Sequence, residues 1–354
     1  MTRSGMKKPG IILFLLLLCF MMFTSQSGLA QTNSQTVSSI NRVGTTAAQF
    51  LKIAAGARPI GMGGAYTALA TDILAVYWNP AGLSRIVGSG EAIFNHAEWL
   101  AETDYDVAAF SLNLQNFGAV GVNVISFRTP EELVRTIDSP EGTGQRWDAN
   151  MISLGVSYAI NLTDRFSIGL TGKFIQEKIF NVSSKGGAID LGILYQTPVK
   201  NLVLGAAVTN FGSKMKMDGR DLYFNDAPLN ESGAVQEVPA EYRMESYDLP
   251  LNMRFGLAWR AINNENIQLL AAVDGNQPND NSEYVNSGIE LGVRNIVFLR
   301  AGYKSLFLDN SEEGLTFGAG LKYNVVGTAL KFDFGWADYG RLTNVKFVSF
   351  AVRY

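Results

Sequence analysis

Cysteine and histidine are almost missing from this 354-residue chain: each occurs once, as Cys19 and His96. Cys19 lies in a leader that is expected to be removed, so the mature chain has no cysteine. That excludes disulfide frameworks, thiol nucleophiles and cysteine-ligated zinc. A lone histidine has no nucleophile at a fixed spacing to activate, so His96, in the strand-like IFNHAEWL, reads as a lumen or rim residue rather than a general base. Charge is sparse as well, at 17% Asp, Glu, Lys and Arg, with 29 basic against 32 acidic side chains. This acidic balance deepens when Arg3, Lys7 and Lys8 leave with the leader, and it excludes a basic surface for nucleic acid. Long hydrophobic runs are also scarce: the single one, Ile11–Phe23, falls short of the ~20 residues that a membrane-spanning helix needs.

What is present begins with a leader. Basic residues, the apolar run and the small residues Gly28 and Ala30 before Gln31 predict a signal peptide over 1–30. An exported chain that is 47% apolar, yet has no further long run, belongs to one of two classes: a soluble periplasmic protein or an outer-membrane barrel. Periodicity separates them. In PLNMRFGLAWR, Leu251, Met253, Phe255, Leu257 and Trp259 share one face, against Asn252, Arg254, Gly256, Ala258 and Arg260. LTFGAGLKY and RFSIGLTGKF repeat the pattern, one greasy face opposite a polar, glycine-rich one.

Soluble sandwiches alternate too, so alternation alone does not decide. The runs here are about 10 to 13 residues, the length of tilted membrane strands rather than the ~5 to 6 of soluble sheets. Aromatics recur near strand ends, including Phe127, Tyr158, Phe180, Tyr195, Phe211, Trp259 and Trp336, as in an interfacial girdle. The chain closes on VSFAVRY, with Phe350, Val352 and the terminal Tyr354 on one face, the pattern of a barrel-assembly signal. The spacing predicts an all-β transmembrane antiparallel barrel of about fourteen strands over 90–354, an even number as closure demands. Short turns alternate with long polar connections at 129–147 and 212–248, the latter carrying Met215, Met217, Leu222, Tyr223 and Phe224 as a candidate partner-binding loop.

Residues 31–89 follow a different rule and are expected to form a helical and glycine-rich hatch. TTAAQFLKIAAG, Thr45 to Gly56, reads as a short helix with Thr45 as cap and Gly56 as stop. Gly61, Gly63 and Gly64 let backbone approach backbone, close to Tyr66. In AVYWNPAGLS, Trp78 precedes Asn79, Pro80, Ala81 and Gly82. Pro80 fixes φ and holds Asn79 extended, which marks a structural hinge first and a ligand contact second.

Other motifs fail at the residues that would carry their chemistry. GARPIGMG has the glycine spacing of a phosphate loop, but Met62 and Gly63 stand where lysine and a magnesium-binding hydroxyl belong. Asp274, Asn276, Asn279 and Asp280 lack the bidentate glutamate of a calcium loop and read as a solvated turn. Glu131-Glu132 and Glu312-Glu313 read as hydrophilic loop charge. No catalytic residue, cofactor or metal site is expected.

The stretch from Phe50 to Ile86, FLKIAAGARPIGMGGAYTALATDILAVYWNPAGLSRI, resembles the signature of the PorV/PorQ family of outer-membrane proteins, which are similar in fold to FadL-type fatty-acid channels. The likeness continues in IDLGILYQTPVKNLVLGAAVTNFGSKM, DGNQPNDN, LRAGYK and GLTFGAGLKY. It implies a fourteen-stranded barrel in the cell outer membrane, with the segment around Gly61 to Gly82 as an inner hatch near any substrate path. It also implies partners: outer-membrane lipid, and type IX secretion proteins with their cargo. A FadL-like channel taking a hydrophobic small molecule into its lumen is the alternative.

Overall fold

The computed structural model describes residues 43–226 and 237–354. The leader expected over 1–30 lies outside them. Fourteen long strands carry the fold. The first seven are β1 Gly90–Glu98, β2 Asp104–Asn113, β3 Ala119–Arg128, β4 Ala149–Asn161, β5 Phe166–Ile179, β6 Val182–Gln196 and β7 Leu202–Gly212. The second seven are β8 Asn252–Asn263, β9 Ile267–Pro278, β10 Tyr284–Val293, β11 Val297–Leu306, β12 Leu315–Val325, β13 Thr328–Asp338 and β14 Asn344–Arg353. Each pairs antiparallel with its chain neighbours, and β1 pairs with β14 from Glu91↔Arg353 to Glu98↔Lys346, which closes the cylinder. A closed sheet leaves no unpaired edge for lipid to meet.

The two faces differ as the period predicts. On β8, Phe255 is 58% exposed while its neighbour Arg254 is 6% exposed. Met253, Leu257 and Trp259 join Phe255 on the outside, and Gly256 and Ala258 are buried. Leu315, Phe317, Leu321 and Tyr323 do the same on β12. No helix among the described residues is long and apolar enough to cross a membrane; the strands make the crossing. Phe127 departs from the girdle expected of it: it faces inward and packs against the core.

Short turns at 114–118, 162–165, 197–201, 264–266, 294–296 and 326–327 define one end of the barrel, and the long connection 129–148 and the described parts of 213–251 stand at the other. This asymmetry assigns the short-turn end to the periplasm and the long-loop end to the exterior of the cell. The protein is thus an outer-membrane barrel. Tyr354 ends at the periplasmic rim, where its carbonyl accepts from Ser89 and Gly90 backbone N–H groups at 2.7 and 3.0 Å.

Residues from Val43 to Ser89 run through the lumen, from the outer end to the start of β1. Their only regular pieces are a 3-10 turn at Gln49–Lys52, α1 Ala57–Gly61, α2 Ala75–Trp78 and a 3-10 turn at Pro80–Arg85. The helix expected from Thr45 to Gly56 is therefore only one turn long. Ala48 in left-handed geometry, φ 52°, starts that turn, and Ile53 in extended geometry ends it.

Candidate functional site

The hatch is anchored to the barrel at three levels. At the outer end the Asp280 carboxylate, between β9 and β10, accepts from Thr46 Oγ1 and Lys52 Nζ, both at 2.9 Å, and from Gln49 Nε2 at 3.2 Å. Burial by itself would raise the Asp280 pKa, but the donors Lys52, Gln49 and Thr46 outweigh it and hold the group below the usual carboxylate range. Beside it, the Ala48 amide donates to Glu177 Oε1 at 3.0 Å.

Half-way down, Arg58 of α1 meets Glu290 of β10 through two parallel bonds, Nε to Oε2 and Nη2 to Oε1, each 2.9 Å. The same guanidinium reaches Asp72 at 3.1 Å and Tyr66 Oη at 2.9 Å. Arg300 extends the network from the other side, joining Glu290 to Asp333 at 2.6 Å each. Asp274 Oδ2 accepts from both the Tyr66 and Thr67 amides at 2.8 Å. Paired, hydrogen-bonded charges of this kind are costly to break one partner at a time, because the survivor is left uncompensated.

The third anchor is the Asn-Pro-Ala-Gly turn after α2. Asn79 is fully buried: its Nδ2 donates to Thr67 O and Ile193 O, both at 2.9 Å, and its Oδ1 accepts from Ala81 N at 3.3 Å. Pro80 starts the following 3-10 turn, where its missing N–H is not needed. A Cβ on Gly82 would lie 1.4 Å from Ala70 O, so no other residue fits. Trp78 Nε1 donates to Ala55 O at 2.9 Å, its ring packs edge-on against Tyr66 and Tyr77, and Arg254 lies 5.1 Å above it.

The wall makes room for this turn with glycine. Gly169 of β5 and Gly192 of β6 are directly opposite in register, and both face the Asn79–Ala81 backbone. A Cβ on Gly192 would sit 2.1 Å from Asn79 Oδ1. The register pairs Gly205 and Gly256, Gly288 and Gly302, and Gly318 and Gly335 repeat the device around the lumen. Met62 and Gly63 lie on the Gly288–Gly302 pair, and Gly61 lies on Gly318.

Of the residues singled out from the sequence, Gly61, Gly63, Gly64, Tyr66, Trp78, Asn79, Pro80, Ala81 and Gly82 thus gather in the lumen and are all buried. Phe350, Val352 and Tyr354 sit at the closure seam, with Phe350 facing outward opposite Phe94. The loop set divides. Met215 and Leu222 are buried, Met217 is half-buried, and Tyr223 and Phe224 are exposed. Tyr242, missing from the sequence-derived set, stacks on Phe224 at 4.6 Å and is itself exposed, as is Tyr247.

Two readings are corrected. Asp274 and Asp280 belong to no solvated turn: Asp274 lies in β9, both are buried, and both hold the hatch. Glu313 is not free loop charge, since its carboxylate pairs with Lys304 and accepts from Ser305 Oγ at 2.5 Å. Burial pushes Glu313 up, and the Lys304 ammonium overrides it, leaving the carboxyl below its usual range. The remaining anchors, Arg58, Glu177, Glu290 and Arg300, carried one legible signal. On their strands Glu177, Glu290 and Arg300 fall on the polar phase, each flanked by outward residues.

The sequence profile of the family described as "Type IX secretion system protein PorV" matches residues 36–230, which is more than half of the chain. The chain belongs to the PorV family. No curated protein sequence matches it. Among solved structures, this PorV-family barrel is similar to the Pseudomonas putida toluene transporter TodX at 14% identity, covering 84% of this chain and 96% of that one with a TM-score of 0.53. It is similar to the Ralstonia pickettii toluene transporter TbuX at 12% identity, 84% and 97% coverage and a TM-score of 0.50. The CymD monoaromatic hydrocarbon channel, at 10% identity, 84% and 96% coverage and a TM-score of 0.53, shares the same fold. At these identities the likeness is one of fold.

Proposed function

We propose that this PorV-family barrel serves type IX protein secretion as a docking component of the outer membrane, not as a catalyst. Its binding surface for folded partners is the outer loop 213–251. The observation that carries this reading is the division of labour between lumen and loop. The lumen is occupied by a hatch anchored through Asp280, Glu290 and Asn79, while Tyr223, Phe224, Tyr242 and Tyr247 are exposed on the outer loop, Phe224 stacked on Tyr242. Aromatic residues on an exposed hairpin are common binding anchors. Deleting the chain is expected to strand type IX cargo in the periplasm, read by fractionation and immunoblotting. Unimpaired cargo delivery would remove the proposal.

A second reading, uptake of a hydrophobic small molecule, draws on the fold shared with the toluene transporters. It requires the hatch to yield, and it is supported if hydrophobic compounds co-purify with the barrel.

A further inference from the structure

The underside of the hatch borders a cavity of about 240 Å³ at the periplasmic end. Its roof is Arg58 and the Thr71–Leu74 segment; its walls are β8 to β14 and β1. A smaller space of about 40 Å³ adjoins it through Thr71 and Arg260 and adds Arg85. For a chain with a formal charge of −3, the lining is unusual. Six cations, Arg58, Arg260, Arg300, Lys322, Lys331 and Arg353, surround four carboxylates.

Each carboxylate is already engaged. Asp72 pairs with Arg58, Glu290 with Arg58 and Arg300, Asp333 with Arg300, and Glu91 with Lys331 and Arg353. Arg260 and Lys322 are left with no ion pair or side-chain hydrogen bond among the described residues. Lys322 also stands directly opposite Lys331 in the β12–β13 register. Like charges placed opposite each other across two strands repel. In the adjoining space, Arg85 Nη2 has no hydrogen-bond partner among the described residues. An uncompensated positive field inside a low-dielectric wall concentrates anions.

We infer that this vestibule is an anion site, open to the periplasm, that takes a small oxyanion, phosphate or carboxylate, in the cavity that Arg260 and Lys322 help to line. The site lies at the opposite end from the partner-docking loop, and the inference stands whether or not that loop serves secretion. The ligand binds by charge-assisted hydrogen bonds from the guanidinium and ammonium groups and offsets the Lys322–Lys331 repulsion. No covalent step is involved.

The test is isothermal titration of the full chain in detergent micelles with inorganic phosphate, with citrate and with a tetraglutamate peptide, at one ionic strength set by sodium chloride. Saturable binding of phosphate or citrate is expected. Arg260→Ala combined with Lys322→Ala is expected to weaken it by about tenfold or more, as for loss of charged hydrogen bonds. Arg260→Lys with Lys322→Arg is expected to retain most of it. Lys200→Ala, in the 197–201 turn at the same end but outside the cavity, is the control and is expected to bind as the parent does. Heat-modifiable migration on SDS gels verifies that each variant is a folded barrel. Absence of saturable binding by all three probes overturns the inference. So does equal affinity in the double alanine variant, and so does binding of the peptide alone, which would mean an extended acidic chain rather than a small oxyanion.

Discussion

Arg58 in the hatch and Glu290 on β10 form a two-pronged ion pair in the lumen, with both bonds at 2.9 Å. The pair ties a short helix to the wall, so the hatch is held by directional bonds as well as by packing. Glu290→Gln removes one of the two carboxylates that Arg58 faces, Asp72 being the other, and keeps the shape. Asp72 still faces Arg58 and Asp333 still faces Arg300, so the cost should stay below the ~3–5 kcal/mol of a buried charge left fully unpaired. Hydrogen exchange is expected to accelerate across 57–72 while the barrel strands stay protected. Unchanged exchange in that segment contradicts the anchoring role.

The Asp280 latch should respond to acid. Its carboxyl is held below the usual range when folded, so its stabilising contribution is fully present above the unfolded value and is lost as pH falls through the folded one. Exchange of the Thr46–Lys52 amides, corrected for intrinsic rate, is expected to rise as pH drops below the ordinary carboxylate range. Asp280→Asn should show the loosened state at neutral pH and lose the part of the dependence that Asp280 carries, leaving only what Glu177 adds through Ala48. A latch that stays equally protected at every pH in both proteins would mean that the contact carries no weight.

Glycine seats under the hatch predict a sharp positional effect. Gly192→Ala drives a methyl group into Asn79 and is expected to destabilise the plugged barrel by roughly 1–3 kcal/mol, as overpacking does. Gly172→Ala, on the outer face of β5 with open space around it, is expected to be silent. Urea-dependent loss of the folded gel band compares the two, and equal midpoints refute the seat.

The loop surface is tested by Tyr223→Ser, Phe224→Ser and Tyr242→Ser in one chain. These side chains are exposed, so barrel stability should move by less than about 0.5 kcal/mol each. Partner recovery from membranes should fall severalfold. Undiminished recovery would place the docking surface elsewhere.

The barrel was legible because lipid and lumen impose opposite chemistry on alternate residues. Met253, Phe255, Leu257 and Trp259 expose that rhythm without any tertiary information. The hatch turn was legible in part: Pro80 and Gly82 announce backbone geometry that few residues adopt. Asp274 and Asp280 were misread because an acidic, asparagine-rich run looks the same whether water or a hatch amide satisfies it. Only the fold brings Thr46, Gln49 and Lys52 to a carboxylate more than two hundred residues away. Met215 looked like loop surface for a similar reason; it folds back under Gly186 and leaves the surface to Tyr223, Phe224 and Tyr242.

The most direct measurement is affinity purification of the tagged chain from native outer membranes, with mass spectrometry of the proteins and extraction of any lumen-bound hydrophobic compound from the same sample. The docking account predicts type IX secretion proteins in stoichiometric yield, lost in the triple loop variant, and an empty extract. Recovery of the barrel alone, carrying a hydrophobic small molecule, would contradict it.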